Sequence, residues 1–275
     1  MRKHLVAGLL LGTASLTGGS AFAADAMPIV DEAPITLPAD NPFNGFYAGV
    51  HAGYSTATSD EDFYAWANAY NSDFYGLDYV GTFSNDLSGA SLGAQAGVNV
   101  VLDSGLVIGG EVSVSWAALQ GTTDEFDGEF DWYCDCGVYG GEFDAQIDGL
   151  GTGVVKLGWA TDQFMVYATA GLALASVSWT DVIGGDSDDG NWFLQASGDT
   201  MRQGWTVGVG GSMMVTESTS IDLQYAYSDF GTLDVDAFGE LSTEDSDPSN
   251  TYAGGFEKSV ALSAHTIKIG INQHF

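Results

Sequence analysis

The stretch HTIKIGINQHF, residues 265–275, decides the fold class of this chain. Apolar side chains occupy alternate positions in it, and polar or small residues occupy the positions between. The two sets are Ile267, Ile269, Ile271 and Phe275 on one face and Lys268, Gly270, Asn272 and His274 on the other. A repeat of two places alternate residues on opposite sides of a β-strand. The pattern predicts a strand in the wall of a transmembrane β-barrel, apolar toward lipid and polar toward the lumen.

The same alternation occurs in most of eight segments along the chain. They are 43–56, 89–102, 106–119, 147–160, 164–179, 202–215, 220–228 and 258–275. A tilted strand needs about 9–11 residues to cross a bilayer, so each segment is long enough. The fifth segment is apolar almost throughout, and its inward phase is not determined. The predicted fold is all-β, an eight-stranded antiparallel up-and-down transmembrane barrel.

The connections between these segments alternate between short and long. Three are short turns at 103–105, 161–163 and 216–219, and four are long, at 57–88, 120–146, 180–201 and 229–257. The long ones hold 27 of the 37 acidic residues and no Lys or Arg. Outer-membrane barrels have short periplasmic turns and longer outer loops. We therefore expect long acidic extracellular loops, whereas a soluble β-sandwich would show alternating strands without this asymmetry.

The N-terminal region has the features of an export signal. A basic start precedes an apolar run, and Ala21 and Ala23 occupy the positions that a signal peptidase reads. We predict a signal peptide at 1–23, a proline-containing periplasmic linker at 24–42 and an outer-membrane barrel domain at 43–275. The expected location is the bacterial outer membrane, with the long loops exposed at the cell surface.

The formal net charge of −31 limits the partners. Nucleic acid is excluded because its phosphates are bound through Lys and Arg. The segment 186–190 (DSDDG) is only distantly similar to a calcium loop, because its spacing fails and no Glu follows at the twelfth position. Solvated charge that keeps the loops apart is favoured over loosely bound divalent cations, and we predict no resident metal and no cofactor.

Five titratable residues fall on inward phases and are the candidate site of the lumen. They are His51, Glu111, Lys156, Asp222 and Lys268. An eight-stranded barrel has a narrow interior, where an unpaired charge is costly. We therefore predict a charge network in which Glu111 pairs with Lys156 or Lys268. The network is either structural or the gate of a narrow conduction path.

Two further groups of residues were considered for chemistry. Cys134 and Cys136 are the two cysteines of the chain, in the connection 120–146. Thiols tend to pair in an oxidising compartment, which favours a local disulfide between these two cysteines. The alternatives are a disulfide between molecules, free thiols, or a contribution to a metal site. His265 with Ser263 is the one candidate for a hydrolase pair, but no G-x-S-x-G sequence or identifiable acid accompanies it. We predict that the protein is not an enzyme.

Three motifs and the final residue resemble a known family. They are NGFYAG at 44–49, GTGVVKLGW at 151–159, VYATAGLA at 166–173 and the terminal Phe275. The chain is similar in these to small alphaproteobacterial outer-membrane surface antigens and opacity-type porins, relatives of the outer membrane protein A barrel. The similarity covers nearly all of the chain that follows the predicted signal peptide. These motifs are signatures of a fold and specify no chemistry.

The resemblance implies a surface-exposed barrel that braces the cell envelope, in some members with weak porin activity. It implies outer-membrane lipid and lipopolysaccharide as surroundings, and no catalytic residues. It also implies that Phe275 is the signal read by the barrel assembly machinery. Where the family commonly carries Arg, this chain has Lys156 and His274.

Overall fold

The computed structural model describes residues 41–70, 77–122, 126–129, 138–187, 190–240, 242–243 and 251–275. Four predicted features lie outside these residues. They are the signal peptide at 1–23, almost all of the linker at 24–42, Asp188 and Asp189 of the segment 186–190, and the cysteines Cys134 and Cys136. The described strands are β1 (Gly45–Tyr70), β2 (Leu77–Val101), β3 (Leu106–Thr122), β4 (Phe126–Glu129), β5 (Val138–Ala160), β6 (Phe164–Ser187), β7 (Gly190–Met214), β8 (Thr219–Glu240), β9 (Ser242–Thr243) and β10 (Thr251–His274). None of the residues described forms a helix of the length and apolarity needed to cross a membrane.

Eight long strands form a closed antiparallel barrel, which confirms the predicted fold. The ring runs β1–β2–β3–β5–β6–β7–β8–β10 and closes by pairing β10 with β1, while β4 adds to β5 and β9 to β7. Following the strand registers once round the ring leads from Tyr47 to Ala57, ten residues further along β1. This offset is the shear of the barrel, and it requires strands that tilt steeply round a narrow lumen.

The three predicted short turns are confirmed, and they define what we call the lower end of the barrel. β2 ends at Val101 and β3 begins at Leu106. In this turn the Gly105 amide donates to the carbonyl of Leu102 over 2.8 Å, and the φ of Gly105 is +84°. A side chain is strained at that angle, so glycine suits the position.

The four long connections are mostly strand, so their prediction as loops was wrong. β1 runs to Tyr70 and β2 starts at Leu77, so every described residue of the range 57–88 is in a strand. Hydropathic alternation stops where contact with lipid stops, whereas backbone pairing continues into water. Polar pairs support it there, since the Ser84 hydroxyl donates to Asp60 over 3.0 Å. The barrel wall therefore extends well beyond the bilayer at this upper end.

The outer wall carries the apolar belt that the alternation predicted. Its residues are exposed, and Trp116 at its upper border and Phe275 at its lower border are 78% and 81% exposed. Membrane lipid covers such a surface, whereas contact with water would be unfavourable. Aromatic residues border the belt at both ends. They are Phe46, Trp159, Phe164 and Phe275 at the lower end and Tyr54, Trp116, Trp205 and Tyr227 at the upper end. The belt between these two aromatic girdles marks the membrane-spanning part of the wall.

The core lies inside the barrel as two apolar clusters. The lower apolar cluster consists of Phe43, Val101, Val107, Ala160, Met165, Tyr167 and Met214. The upper apolar cluster consists of Ala57, Leu87, Ala117, Leu119, Ile147, Ala173, Ala175, Val177, Phe230, Leu262 and Ala264. The inward residues of β6 show the order of the layers. Met165 lies in the lower cluster, Thr169 lies between the clusters, and Ala173 and Val177 lie in the upper cluster. The central polar and charged residues of the lumen therefore lie between two apolar layers.

Candidate functional site: a charge cluster in the lumen

Glu111 on β3 is the centre of the charged layer. Its Oε2 lies 2.6 Å from Lys156 Nζ and accepts a hydrogen bond of 2.8 Å from the Tyr47 hydroxyl. Its Oε1 lies 3.3 Å from Lys268 Nζ. The Glu111 side chain is 1% exposed, so the carboxylate has exchanged water for two ammonium groups and a phenol. The structure thus brings together three of the five predicted residues, and Glu111 contacts both of the lysines that the sequence offered as alternatives.

Strand register explains one of these contacts and the narrow lumen explains the other. Glu111 pairs with Val154 on the adjacent β5, so Lys156 is two positions away on the same inward face. Lys268 is on β10, three strands away round the ring. Its ammonium reaches Glu111 across the interior because the shear brings their ends to similar heights and the lumen is one side chain wide.

Asp222 is held differently from Glu111. The Tyr167 hydroxyl lies 2.7 Å from Oδ2 and 2.9 Å from Oδ1, and the Ser212 hydroxyl also donates to Oδ2. Among the described residues Asp222 has no ion-pair partner within 4.0 Å. The Lys156 ammonium instead lies 4.4 Å from the centre of the Tyr167 ring, a cation–π distance that joins the two carboxylates through one tyrosine.

Two glycines make room for the tyrosines of this layer. A Cβ on Gly97 would lie 2.4 Å from the Tyr47 hydroxyl, and a Cβ on Gly210 would lie 2.5 Å from the Tyr167 ring. Either distance is far below a van der Waals contact. The small residues on the inward face therefore do more than keep the lumen open, because they seat the two phenols against the carboxylates.

His51 lies apart from the ion pairs. Its Nε2 is 2.8 Å from the Ser115 hydroxyl, and it lines a small cavity above the charged layer with the end of Lys268. Most of the other polar lining residues carry hydroxyls. They are Ser91, Ser113, Thr152, Thr169, Thr206, Ser228 and Thr266. Much of the rest of the lining is apolar and includes Ala173, Phe230 and Ala264 of the upper apolar cluster. Ordered water therefore suits only the part of the cavity that the hydroxyls line, where it satisfies buried donors and acceptors that protein groups leave over.

A second interior ion pair was missed from the sequence. Lys258 Nζ on β10 lies 2.9 Å and 2.7 Å from the two carboxylate oxygens of Asp181 on β6, above the upper apolar cluster. Both side chains are buried, at 4% and 0% exposure. The sequence did not indicate this ion pair, because Asp181 lies in the range 180–201 that was predicted as a loop. Tyr47 was on a predicted inward phase, whereas Tyr167 lay in the segment whose phase was undetermined.

The charge cluster of the central layer is arranged as a structural feature rather than as a catalytic site. Two carboxylates and two ammonium groups balance within the central layer, and tyrosine and serine hydroxyls fill the remaining acceptor positions. On the outer wall, His265 Nδ1 lies 2.7 Å from the Tyr225 hydroxyl, so its partner is a tyrosine of the neighbouring strand. Within the described ranges no three His, Cys, Asp or Glu residues are grouped as metal ligands.

Comparison with known proteins identifies relatives of this barrel. No family model matches the chain. It is 27% identical over 272 residues to the 31 kDa outer-membrane immunogenic protein of Brucella melitensis biotype 1, an alignment that covers 97% of this chain and 98% of the relative. The same figures hold for the protein of that description from Brucella suis biovar 1. This chain is a homologue of those outer-membrane proteins.

The predicted resemblance and the predicted location are therefore confirmed: the protein is an outer-membrane β-barrel that is similar over nearly all of its length to an outer-membrane immunogenic protein. Solved structures that are similar to it include the following two. The outer membrane protein OprG from Pseudomonas aeruginosa has a TM-score of 0.43 at 13% identity, covering 86% of this chain and 99% of that one. Neisserial surface protein A has a TM-score of 0.31 at 13% identity, covering 82% and 99%.

Proposed function

We propose that the protein is a non-conducting, non-enzymatic surface barrel that braces the outer membrane and presents an acidic wall to the exterior. The observation that carries this proposal is the layered lumen. A paired charge cluster lies between two apolar clusters, and each layer obstructs water and ions for its own physical reason. Such an interior supports a structural role for the network over a role as a conduction gate.

The apolar clusters oppose conduction by dewetting. Phe43 is fully buried at the lower end, where its ring meets His274 edge-on with centroids 5.7 Å apart. Leu119 and Phe230 in the upper cluster are 0% and 2% exposed. An ion that passed these side chains would lose its hydration without gaining polar ligands, which is strongly unfavourable. Charge pairing within the middle layer adds a second obstacle.

The wall above the membrane supports a role at the surface. Asp60, Asp62 and Asp86 are exposed on the outward faces of β1 and β2. Their charge keeps neighbouring molecules apart and shields the membrane beneath. We propose that lipopolysaccharide and outer-membrane lipid surround the belt, that divalent cations associate loosely with the acidic wall, and that the barrel assembly machinery reads Phe275 during insertion.

Planar-bilayer recording of refolded protein tests the proposal. We expect conductance at background for the natural sequence in both monovalent and divalent chloride. Reproducible steps with a preference for cations would refute it and favour the alternative, a narrow weakly cation-preferring porin for small solutes.

Surface topology needs a separate measurement on intact cells. The long connections lack Lys and Arg, so trypsin is uninformative there and short epitope tags serve better. A tag placed between Asn71 and Gly76 should bind antibody on intact cells, and a tag at Ser104 should bind only after permeabilisation. The reverse result would place the acidic wall in the periplasm and remove the shielding role.

A further inference from the structure

The ladder between β7 and β8 stops above the upper aromatic girdle. These strands pair only up to Trp205↔Asp229. Beyond that point β7 stays paired with β6, and β8 stays paired with β10. We call the stretch where β7 and β8 do not pair with each other, 194–204 on β7 and 230–240 on β8, the β7–β8 seam. Within the described ranges the short strand β9 bounds it above by pairing with β7.

An extra residue in β8 accounts for the start of the seam. Between Asp229 and Thr232 this strand has two residues, whereas its partner β10 has only Leu262 there. Gly231, one of the two, has a φ of +68°, an angle that favours glycine. A bulge of this kind bends its strand and disrupts regular pairing. β8 therefore loses its register with β7 where the apolar belt ends.

Arg202 caps the lower end of the seam from inside the barrel. It pairs with the buried Ala175 of β6, so its side chain is on the inward face of β7. Its Nη2 donates to the carbonyl of Phe230 over 3.4 Å and also to the carbonyl of Thr232. The guanidinium thus supplies donors to an edge of β8 that no longer pairs with β7.

The edge of β7 in the seam carries backbone groups without a partner strand among the described residues. The Met214 amide donates to Gln163 on the β6 side, and the Val215 amide donates to Thr219 of β8. Because alternate residues of a strand direct their backbone groups to opposite neighbours, the odd-numbered residues of β7 face β8. In the seam these residues are Gln195, Ser197, Asp199, Met201 and Gln203. An open edge of this kind is a template for a further strand.

The opposite edge of the seam belongs to β8. Below the bulge its odd-numbered residues face β7, as the carbonyl of Thr219 does. The extra residue reverses this alternation, so above it Thr232, Asp234 and Asp236 direct their backbone groups toward β7. Arg202 caps the carbonyl of Thr232. The backbone groups of the two aspartates pair with no described strand on that side.

The side chains along the seam define what kind of strand it accepts. Asp199 on β7 and Asp234 and Asp236 on β8 are exposed on the outward face of both edges. The inward residues of β7 beside the seam are small, namely Ala196, Gly198 and Thr200. Side chains of a strand alternate between the two faces, and opposite charges on neighbouring strands attract. A complementary strand therefore carries basic residues outward and small apolar residues inward.

The chain itself does not provide a strand of that composition. Its four long connections, 57–88, 120–146, 180–201 and 229–257, hold no Lys or Arg. Neither the upper end of this molecule nor that of a second copy therefore supplies the basic side chains. The complementary strand belongs to a different polypeptide.

We propose that the β7–β8 seam binds an extended segment of a partner polypeptide in which basic and small apolar residues alternate. The segment adds as a strand to the free edge of β8, with Asp199 of β7 on its other side. Main-chain hydrogen bonds provide the affinity of such strand addition, and the side-chain pattern provides the selectivity. The site does not depend on whether the lumen conducts, so its failure would leave the proposed function intact.

Binding of a synthetic peptide to refolded protein in zwitterionic micelles tests the site. The probe is a fluorescently labelled peptide of alternating lysine and valine, whose anisotropy reports binding. One control peptide has the same composition with all lysines before all valines, and another has the same sequence with methylated backbone nitrogens. We expect the alternating peptide to bind at least about tenfold more tightly than either control, because it alone combines backbone pairing with charges in register. Equal affinity of all three peptides would overturn the proposal.

A charge variant locates the binding on the protein. The seam variant combines Asp199→Asn, Asp234→Asn and Asp236→Asn. The matched control makes the same change in charge on the paired wall of β1 and β2, with Asp60→Asn, Asp62→Asn and Asp86→Asn. We expect the seam variant to weaken binding about tenfold, as for three exposed ion pairs, and the control to weaken it by no more than about twofold. Equal weakening by both would show a diffuse attraction to the acidic wall and would overturn the proposal.

Amide hydrogen exchange adds a criterion that needs no variant. In the free protein the amides of Asp234 and Asp236 should exchange faster than those of Leu233 and Val235, which pair with β10. The alternating peptide should slow the exchange of the two aspartate amides about tenfold or more. Slow exchange in the free protein would show that the wall is closed there, and a bound peptide that leaves these amides unprotected would lie elsewhere. Either result would overturn the proposal.

Discussion

Replacing Glu111 with alanine tests the central layer of the barrel most directly. The substitution removes the carboxylate that lies 2.6 Å from Lys156 Nζ and 3.3 Å from Lys268 Nζ, and it leaves the Tyr47 hydroxyl without its acceptor. The side chains of Lys156 and Lys268 are 2% and 12% exposed, so water compensates little of the loss. Breaking a buried pair by removing one partner costs about 3–5 kcal/mol.

We therefore expect Glu111→Ala to lower the free energy of unfolding by about 3–5 kcal/mol, a change of roughly two to four orders of magnitude in the unfolding equilibrium. The double variant Glu111→Leu with Lys156→Met is the matched control. It removes both charges of the closest pair, and it should cost less than Glu111→Ala alone because fewer charges are left unpaired.

The assay is urea unfolding of barrels refolded in lipid vesicles, followed by far-UV circular dichroism and by the heat-modified mobility of the folded band. Measurements at low and high salt add a second criterion, since a buried pair is screened far less than an exposed one. A Glu111→Ala barrel within about 1 kcal/mol of the natural protein, with a salt-dependent difference, would show that water reaches these charges. The structural reading of the lumen would then be refuted.

Three other changes give distinct outcomes. Tyr167→Phe removes the hydroxyl that donates to Asp222, and it should cost about 1.5–3 kcal/mol in the same unfolding assay, the range for a hydrogen bond to a charged group. Leu119→Ser places a hydroxyl in the upper apolar cluster, and planar-bilayer conductance should stay at background because the charged layer and the lower apolar cluster remain; conductance above background would show that the upper cluster alone closes the lumen. Deleting Phe275 removes an exposed ring and the hydrogen bond of 2.9 Å from its amide to the Phe46 carbonyl, so stability in vesicles should fall by no more than about 1.5 kcal/mol while the yield in the outer membrane collapses. Normal yield would contradict its predicted role in assembly.

The sequence predicts the faces of this barrel better than its contacts. Period two assigned Glu111, Lys156 and Lys268 to the inward side, because alternation alone fixes which way a side chain points. The alternation did not determine which of these charged side chains form ion pairs with one another. Lys268 reaches Glu111 across three strands, and that depends on the shear, which is a property of all eight registers together.

The limits of the strands were predicted poorly for a different reason. Hydropathy reports contact with lipid, whereas a strand ends where backbone pairing ends. Asp181 illustrates the difference, because it lies on an extension of β6 that was predicted as a loop, while its ion-pair partner Lys258 is the first residue of the last predicted strand segment.

In the extended upper wall, the residues that face the surroundings are different groups from those that hold the barrel together. Its strands are joined by backbone hydrogen bonds, which do not depend on side-chain identity, and its outward residues face water. Substitutions at such positions usually change stability by no more than about 0.5 kcal/mol. The fold therefore leaves nearly neutral those exposed positions that have no side-chain hydrogen bond among the described residues, such as Asp199 and Asp236. Such positions can change while the belt and the lumen stay as they are.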